Sequence, residues 1–191
     1  MITSTSNQQM KNLMLLMKKA KARNEQELFV VEGRKMFQEV PEEWLKQVYV
    51  SESFFAENDK MLAGYTYEIV SDSVFKAVSD TQTPQGILCL VRKPQYRLEE
   101  LLKGADTHLL ILESIQDPGN LGTMLRTGEG AGISGVVMNH TTVDLFNPKT
   151  IRSTMGSIYR MPFYYAEDIL NDGKCLPHAI FCDQRSGRDH L

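Results

Sequence analysis

A chain of 191 residues, 42% hydrophobic and 24% charged, with a formal net charge of −3, has the make-up of a folded protein of one large or two small domains. That balance excludes a basic disordered tail as the route to nucleic acid, while a local basic patch stays compatible with it. No apolar run approaches the ~18 residues of a membrane span. The three cysteines, Cys89, Cys175 and Cys182, lack metal-ligand spacing and read as reduced, buried thiols in a cytoplasmic protein, with no metal expected.

The chain is predicted to open with a helix. Ser6 and Gln9 have capping-box spacing, and Met10, Leu13, Met14 and Met17 recur on one helical face. Lys11, Lys18, Lys19, Lys21 and Arg23 crowd the rest of that helix and its exit. They read either as a solvated face or as contacts for RNA phosphates. Leu28 to Val31 is a predicted strand, and Glu32-Gly33-Arg34 turns into a short helix. Glu32 fits a structural carboxylate capping that helix. Gln47 to Val50, Tyr67 to Val70 and Gly86 to Val91 are further strands, with a helix over Val74, Phe75 and Val78. Helices and strands alternating at this pace indicate a small α/β domain. Thr81-Gln82-Thr83-Pro84-Gln85-Gly86 is a turn before the last strand, with groups able to donate to RNA. The domain is placed at 1–95. A connection over 96–107, holding a helix at Leu98, Leu101 and Leu102, leads to a second domain at 108–191.

The second domain begins with the buried strand Leu109 to Leu112. Asp117-Pro118-Gly119-Asn120-Leu121-Gly122 follows, then Arg126-Thr127 and Glu129. Ligand chemistry collects at strand ends that feed a turn and a helix, so this polar loop is a candidate active-site edge. Asn120 is the expected N-cap. Arg126 and Glu129, three residues apart, share a helix face; taken alone they are an ordinary surface ion pair. Gly130-Ala131-Gly132-Ile133-Ser134-Gly135 matches G-x-G-x-x-G but ends a helix rather than opening one, so it is not a dinucleotide site. A strand over Gly135 to Met138, a helix capped by Asn147 with Pro148 at its first position, a strand over Pro162 to Tyr165 and a strand over Ala179 to Cys182 complete the pattern.

The D-P-x-N-L-G turn with Arg126-Thr127 and Glu129, followed by Asn147-Pro148-Lys149, Arg152-Ser153, Gly156-Ser157 and Met161-Pro162, resembles the SpoU-type (TrmH-like) RNA 2′-O-ribose methyltransferases of the SPOUT superfamily. More loosely, Arg23 and Phe29-Val30-Val31-Glu32-Gly33 resemble that family's N-terminal substrate domain. The resemblance implies an α/β fold: a small ribosomal-protein-like α/β domain followed by a SPOUT (α/β knot) parallel-sheet domain. It implies methyl transfer from S-adenosyl-L-methionine to a ribose 2′-hydroxyl of rRNA or tRNA. In that chemistry Arg126 orients the hydroxyl and shields developing charge, Asn120 fixes the loop, and Glu129 holds Arg126. It implies RNA contact at Lys18, Lys19, Lys21 and Arg23. Arg152 is read as meeting RNA or a dimer partner, or as a solvated helix residue.

The chain departs from the family pattern in two places. Gly128 and Gly130 stand where alanines are usual, at roughly 1 kcal/mol each in helix stability. No Gly-Glu-Gly loop, Ile-Pro turn or Ser-Leu-Asn-Val-Ser helix start stands between the strand Ala179 to Cys182 and the last residue, Leu191. The knot domain is therefore expected to be incomplete, its second half marginally stable, its cofactor-binding residues unassigned and its homodimerisation in question. The alternative function is then a truncated, non-catalytic RNA-binding remnant.

Overall fold

The computed structural model describes residues 1–103 and 107–167, together with the backbone of strand residues 179–183. The chain divides into two compact units, 1–94 with 146–148, and 95–145 with 149–191.

The first unit is built on the strands β1 (Leu28–Glu32), β2 (Leu45–Ser51), β3 (Tyr67–Val70) and β4 (Ile87–Arg92), in the order β1-β4-β2-β3. β2 and β3 run parallel, while β4 is antiparallel to both β1 and β2. Helices α1 (Gln8–Lys18), α2 (Ala20–Gln26), α3 (Arg34–Glu39), α4 (Glu52–Asn58) and α5 (Asp72–Val78) surround it. Helix α1 buries Met10, Leu13 and Leu16 against Val30, Tyr49, Val74, Phe75 and Leu88, with Met14 and Met17 only partly buried. Its N-cap is Asn7, whose Oδ1 accepts the Gln9 N–H at 2.8 Å. The Ser6 cap expected from the sequence is thus displaced by one residue.

Arg23 requires a correction. It is 3% exposed, and its Nη1 donates to the carbonyl oxygens of Leu16 at 2.5 Å and Met17 at 3.2 Å. Those carbonyls lie in the last turn of α1, which lacks intrahelical donors. The guanidinium therefore caps α1 from within and is unavailable to a phosphate. Arg23→Ala would leave those acceptors buried, and is expected to cost the first unit about 2 kcal/mol, read by urea unfolding.

Glu32 does not cap α3. Its Oε1 accepts from Ser79 Oγ at 2.7 Å and Thr81 Oγ1 at 2.6 Å, tying the end of β1 to the loop before β4. The amide at the start of α3 is served instead by Gln85, whose Oε1 accepts the Arg34 N–H at 2.9 Å.

The second unit is a parallel sheet of β5 (Leu109–Glu113), β6 (Gly135–Asn139), β7 (Phe163–Ala166) and β8 (Ala179–Asp183), in the order β7-β6-β5-β8. Helix α6 (Leu98–Leu101) precedes it, α7 (Pro118–Gly130) links β5 to β6, and α8 (Pro148–Thr154) lies between β6 and β7. Leu109, Ile111, Val137 and Ala166 form its core with Leu101 of α6. The chain steps outward from β5 to β6 to β7 and then returns to the other side of β5. Strand order therefore reverses at β5, and the crevice beyond the carboxyl ends of β5 and β8 is the topological switch point. The loop leaving Glu113 opens onto that point. Cys175 and the segment Gln184 to Leu191 lie outside the described residues. The expectation attached to Leu191, that the cofactor-binding pieces of the knot are wanting, falls outside them as well.

Candidate functional site

Leaving β5, the chain bends sharply at Ser114, which holds φ 56°, a left-handed conformation that costs a non-glycine residue energy. Side chains from the end of β6 hold it there. Ser114 N–H donates to Asn139 Oδ1 at 3.0 Å, and the Ser114 and Thr141 hydroxyls lie 2.8 Å apart. Gln116 Nε2 donates to the carbonyls of Ser114 and Thr141 at 3.1 and 2.8 Å. The strained bend delivers Asp117 to the start of α7.

Asp117, not Asn120, caps that helix. Its Oδ1 accepts the Asn120 N–H at 2.8 Å, and Pro118 takes the first helical position, where a missing N–H is harmless. Lys149 Nζ reaches Asp117 Oδ2 at 3.3 Å, so the second family-like motif clamps the first. The Asn120 amide bond, followed by Lys149, holds the Asp117 carboxyl below the usual carboxylate range. Because the folded-state value is depressed, the cap and clamp are complete above the unfolded-state value near about 4 and fade as pH falls through the lower folded value. An NMR titration of Asp117 is expected to give a midpoint below that of a free aspartate.

Freed from capping, the Asn120 side chain is exposed in the first turn of α7, and Arg126 is exposed six residues on, about 9 Å further along the axis. The two do not meet directly. Among the described residues no side chain pairs with Arg126. Leu121 and Leu125 are fully buried on the opposite face.

Glu129 does not hold Arg126. Its carboxylate accepts from Ser157 Oγ and from Arg160 Nε, with Arg160 Nη2 at 3.3 Å. Ser157 is buried in the one-turn helix Ser157–Tyr159. Glu129 thus fastens the C-terminal half of α7 to the segment before β7. Nothing in the sequence points to Arg160, because its partner is 31 residues away and no local spacing announces it.

Gly122, the last residue of the D-P-G-N-L-G turn, is where α7 meets α8. A Cβ there would lie 2.5 Å from both the Thr150 carbonyl oxygen and Ser153 Cβ, and 3.0 Å from the Thr154 nitrogen. This glycine is set by close packing. Gly132, by contrast, holds φ 78° at the end of α7, in keeping with a helix stop and not a dinucleotide loop. Arg152 is half-buried on α8. Lys18, Lys19 and Lys21 are exposed in the first unit, with Lys21 3.7 Å from Glu25 in an i,i+4 pair.

Residues 107–179 match the SpoU rRNA Methylase family, and residues 7–89 the MRM3-like substrate binding domain. The 23S rRNA (guanosine(2553)-2′-O)-methyltransferase RlmP of Bacillus subtilis is 34% identical over 163 residues, 84% of this chain. The chain spans 63% of that relative's length. The crystal structure of an RNA 2′-O ribose methyltransferase is 30% identical, with a TM-score of 0.73 over 91% of this chain and 69% of that one. The AdoMet-bound rRNA methyltransferase of Sinorhizobium meliloti is 25% identical, with a TM-score of 0.76 over 91% and 68%. By sequence in both halves and by fold, the chain belongs to the SpoU rRNA methylase family.

Proposed function

We propose that the protein transfers a methyl group from S-adenosyl-L-methionine to a ribose 2′-hydroxyl of ribosomal RNA, in the cytoplasm. The observation that carries this reading is the exposed Arg126, presented by a helix that a strained, clamped loop anchors at the switch point. The cofactor supplies an electrophilic methyl carbon. What the chain must supply is alignment of the hydroxyl oxygen with that carbon and support for the negative charge that grows on the oxygen. A guanidinium, with five donors and no acceptor, suits the second task. A guanidinium stays charged and is a poor base, so Arg126 is assigned to orienting the hydroxyl and stabilising the forming alkoxide. Asn120 is assigned to the rim beside the substrate.

Glu129 and Arg160 are positioning residues that hold α7, and through it Arg126. The crevice at the ends of β5 and β8 is the kind of place where nucleoside-bearing ligands settle in open α/β sheets. The backbone of Cys182 and Asp183 borders it opposite Leu112 and Glu113. No described side chain is assigned to the cofactor. Pairing into a homodimer is proposed on the same family reading, and analytical ultracentrifugation of the protein tests it.

The first unit is assigned to RNA through Lys18, Lys19 and Lys21, with Arg152 added from the second. Neutralising Lys18 and Lys19 together is expected to weaken RNA binding uniformly across sequences. It should also lower the slope of log affinity against log salt by about 2, measured by filter binding. The function itself is tested by mass spectrometry of rRNA from cells with and without the gene. One 2′-O-methylated nucleotide is expected to disappear; an unchanged methylation pattern contradicts the proposal.

A further inference from the structure

We infer that a cleft in the first unit holds one unpaired nucleotide of the RNA, its base laid on the Arg34 guanidinium and read by the side-chain amide of Gln85. The inference rests on the reading of the first unit as the half that engages RNA.

The cleft lies between α4, α5 and the loop before β4 and has a volume of about 390 Å³, within the ~300–1,000 Å³ of small-ligand pockets. Arg34 is exposed, and its guanidinium carbon sits 5.2 Å from the centroid of the Phe54 ring. Phe54 is buried and lies beside the exposed guanidinium on the protein side. Arg34 Nη2 donates to Asn58 Oδ1 at 2.6 Å, which fixes the plane. A flat, immobilised cation of this kind is a stacking platform for an unstacked base.

Gln85 is fixed as firmly. Its Oε1 accepts the Arg34 backbone N–H, and a donor at that point requires the amide oxygen to face it. Gly33 holds φ 105°, and a Cβ there would stand 2.9 Å from that oxygen. The glycine therefore lets the amide lie across the start of α3. With the oxygen engaged by Arg34, the NH2 group of this exposed side chain makes no hydrogen bond to a described residue and is the group that can donate to a ligand.

Charge decides between a base and a bare phosphate. Arg34 and Lys76 are balanced by Glu57 and Asp72 in the lining, and Asp72 already accepts from Ser53 N–H and Oγ at 3.1 and 2.9 Å. A phosphate would meet two carboxylates, whereas an uncharged base with carbonyl acceptors, guanine or uracil, meets the free donors.

Gln85→Glu tests this. The variant keeps the acceptor that holds Arg34 and removes the donors, so a purely structural role survives it. Guanosine and uridine monophosphates, titrated into the full chain, are expected to shift the amide resonances of Arg34, Lys76 and Gln85 with a dissociation constant in the ~millimolar range. Gln85→Glu should abolish those shifts and weaken an rRNA fragment about tenfold. Shifts absent from these residues, or unchanged in the variant, overturn the inference. If the rRNA fragment binds wild type and variant equally, the cleft is excluded while the first unit remains an RNA-binding domain. If the fragment is not bound at all, the underlying reading fails as well.

Discussion

Arg126→Ala is expected to lower methyl transfer by at least about 100-fold while leaving stability and RNA affinity near wild type. The magnitude is that of removing one preorganised donor from a developing oxyanion. The selectivity follows from the surroundings: the side chain is exposed and no described residue pairs with it. Its removal opens no cavity and strands no buried partner. Arg126→Lys keeps the charge but loses the planar fork, so it should recover only part of the rate. Glu129 gives the informative contrast. Its carboxylate is engaged by buried Ser157 and by Arg160, so Glu129→Gln should loosen the end of α7 and lower stability before it touches the chemistry. Equal losses of rate and stability in Arg126→Ala would assign that residue to the scaffold.

Gly122→Ala is expected to destabilise the second unit by about 3 kcal/mol, seen as a lower urea midpoint. A methyl group usually stabilises a helix relative to glycine, so the expected sign opposes propensity. Contact decides it. The new Cβ would stand 2.5 Å from the Thr150 carbonyl oxygen, which belongs to the backbone of α8 and cannot rotate away. Relief requires α7 and α8 to separate, which would also draw Lys149 from Asp117. Gly130→Ala is the control on the same helix: nothing lies within 4 Å of a Cβ there, and the change should stabilise by up to about 1 kcal/mol.

Much of the fold was legible because its signals are local. The strand at Tyr67–Val70 coincides with its apolar run, and β5 and β6 were visible as short apolar stretches between turn residues. Helix α4 gives only a weak signal in the sequence although Ser51 caps it, its Oγ accepting the Phe54 N–H. With only Phe54 buried on it, its apolar period is too short to stand out. The cap of α7 is Asp117, three residues before the expected Asn120. Both Asp117 and Asn120 cap well, and Pro118, whose preferred place is the first helical position, was the signal favouring Asp117.

The remaining departures from the expected arrangement are non-local. The burial of Arg23 follows from the way α1 ends at Lys19 and turns the guanidinium onto its own last carbonyls. The partner of Glu129 lies in another element. A charged residue's neighbours in sequence did not reveal its neighbours in space in either case. The loop from Asp117 to Asn120 is visible in the sequence as a candidate site because its residue types fall within one short turn, while the Asn139, Thr141 and Lys149 side chains that hold it come from other elements.

The most direct measurement follows the methyl group itself. The protein is incubated with ribosomal RNA and S-adenosyl-L-methionine labelled on the methyl, and the RNA is then hydrolysed in alkali. Alkaline cleavage needs a free 2′-hydroxyl, so a methylated ribose protects the adjoining phosphodiester. Label recovered in alkali-stable dinucleotides, and lost with Arg126→Ala, is the predicted result. Label recovered only in mononucleotides would mean base methylation, and RNA that is bound but never labelled would mean a binding protein without the reaction; either contradicts the account.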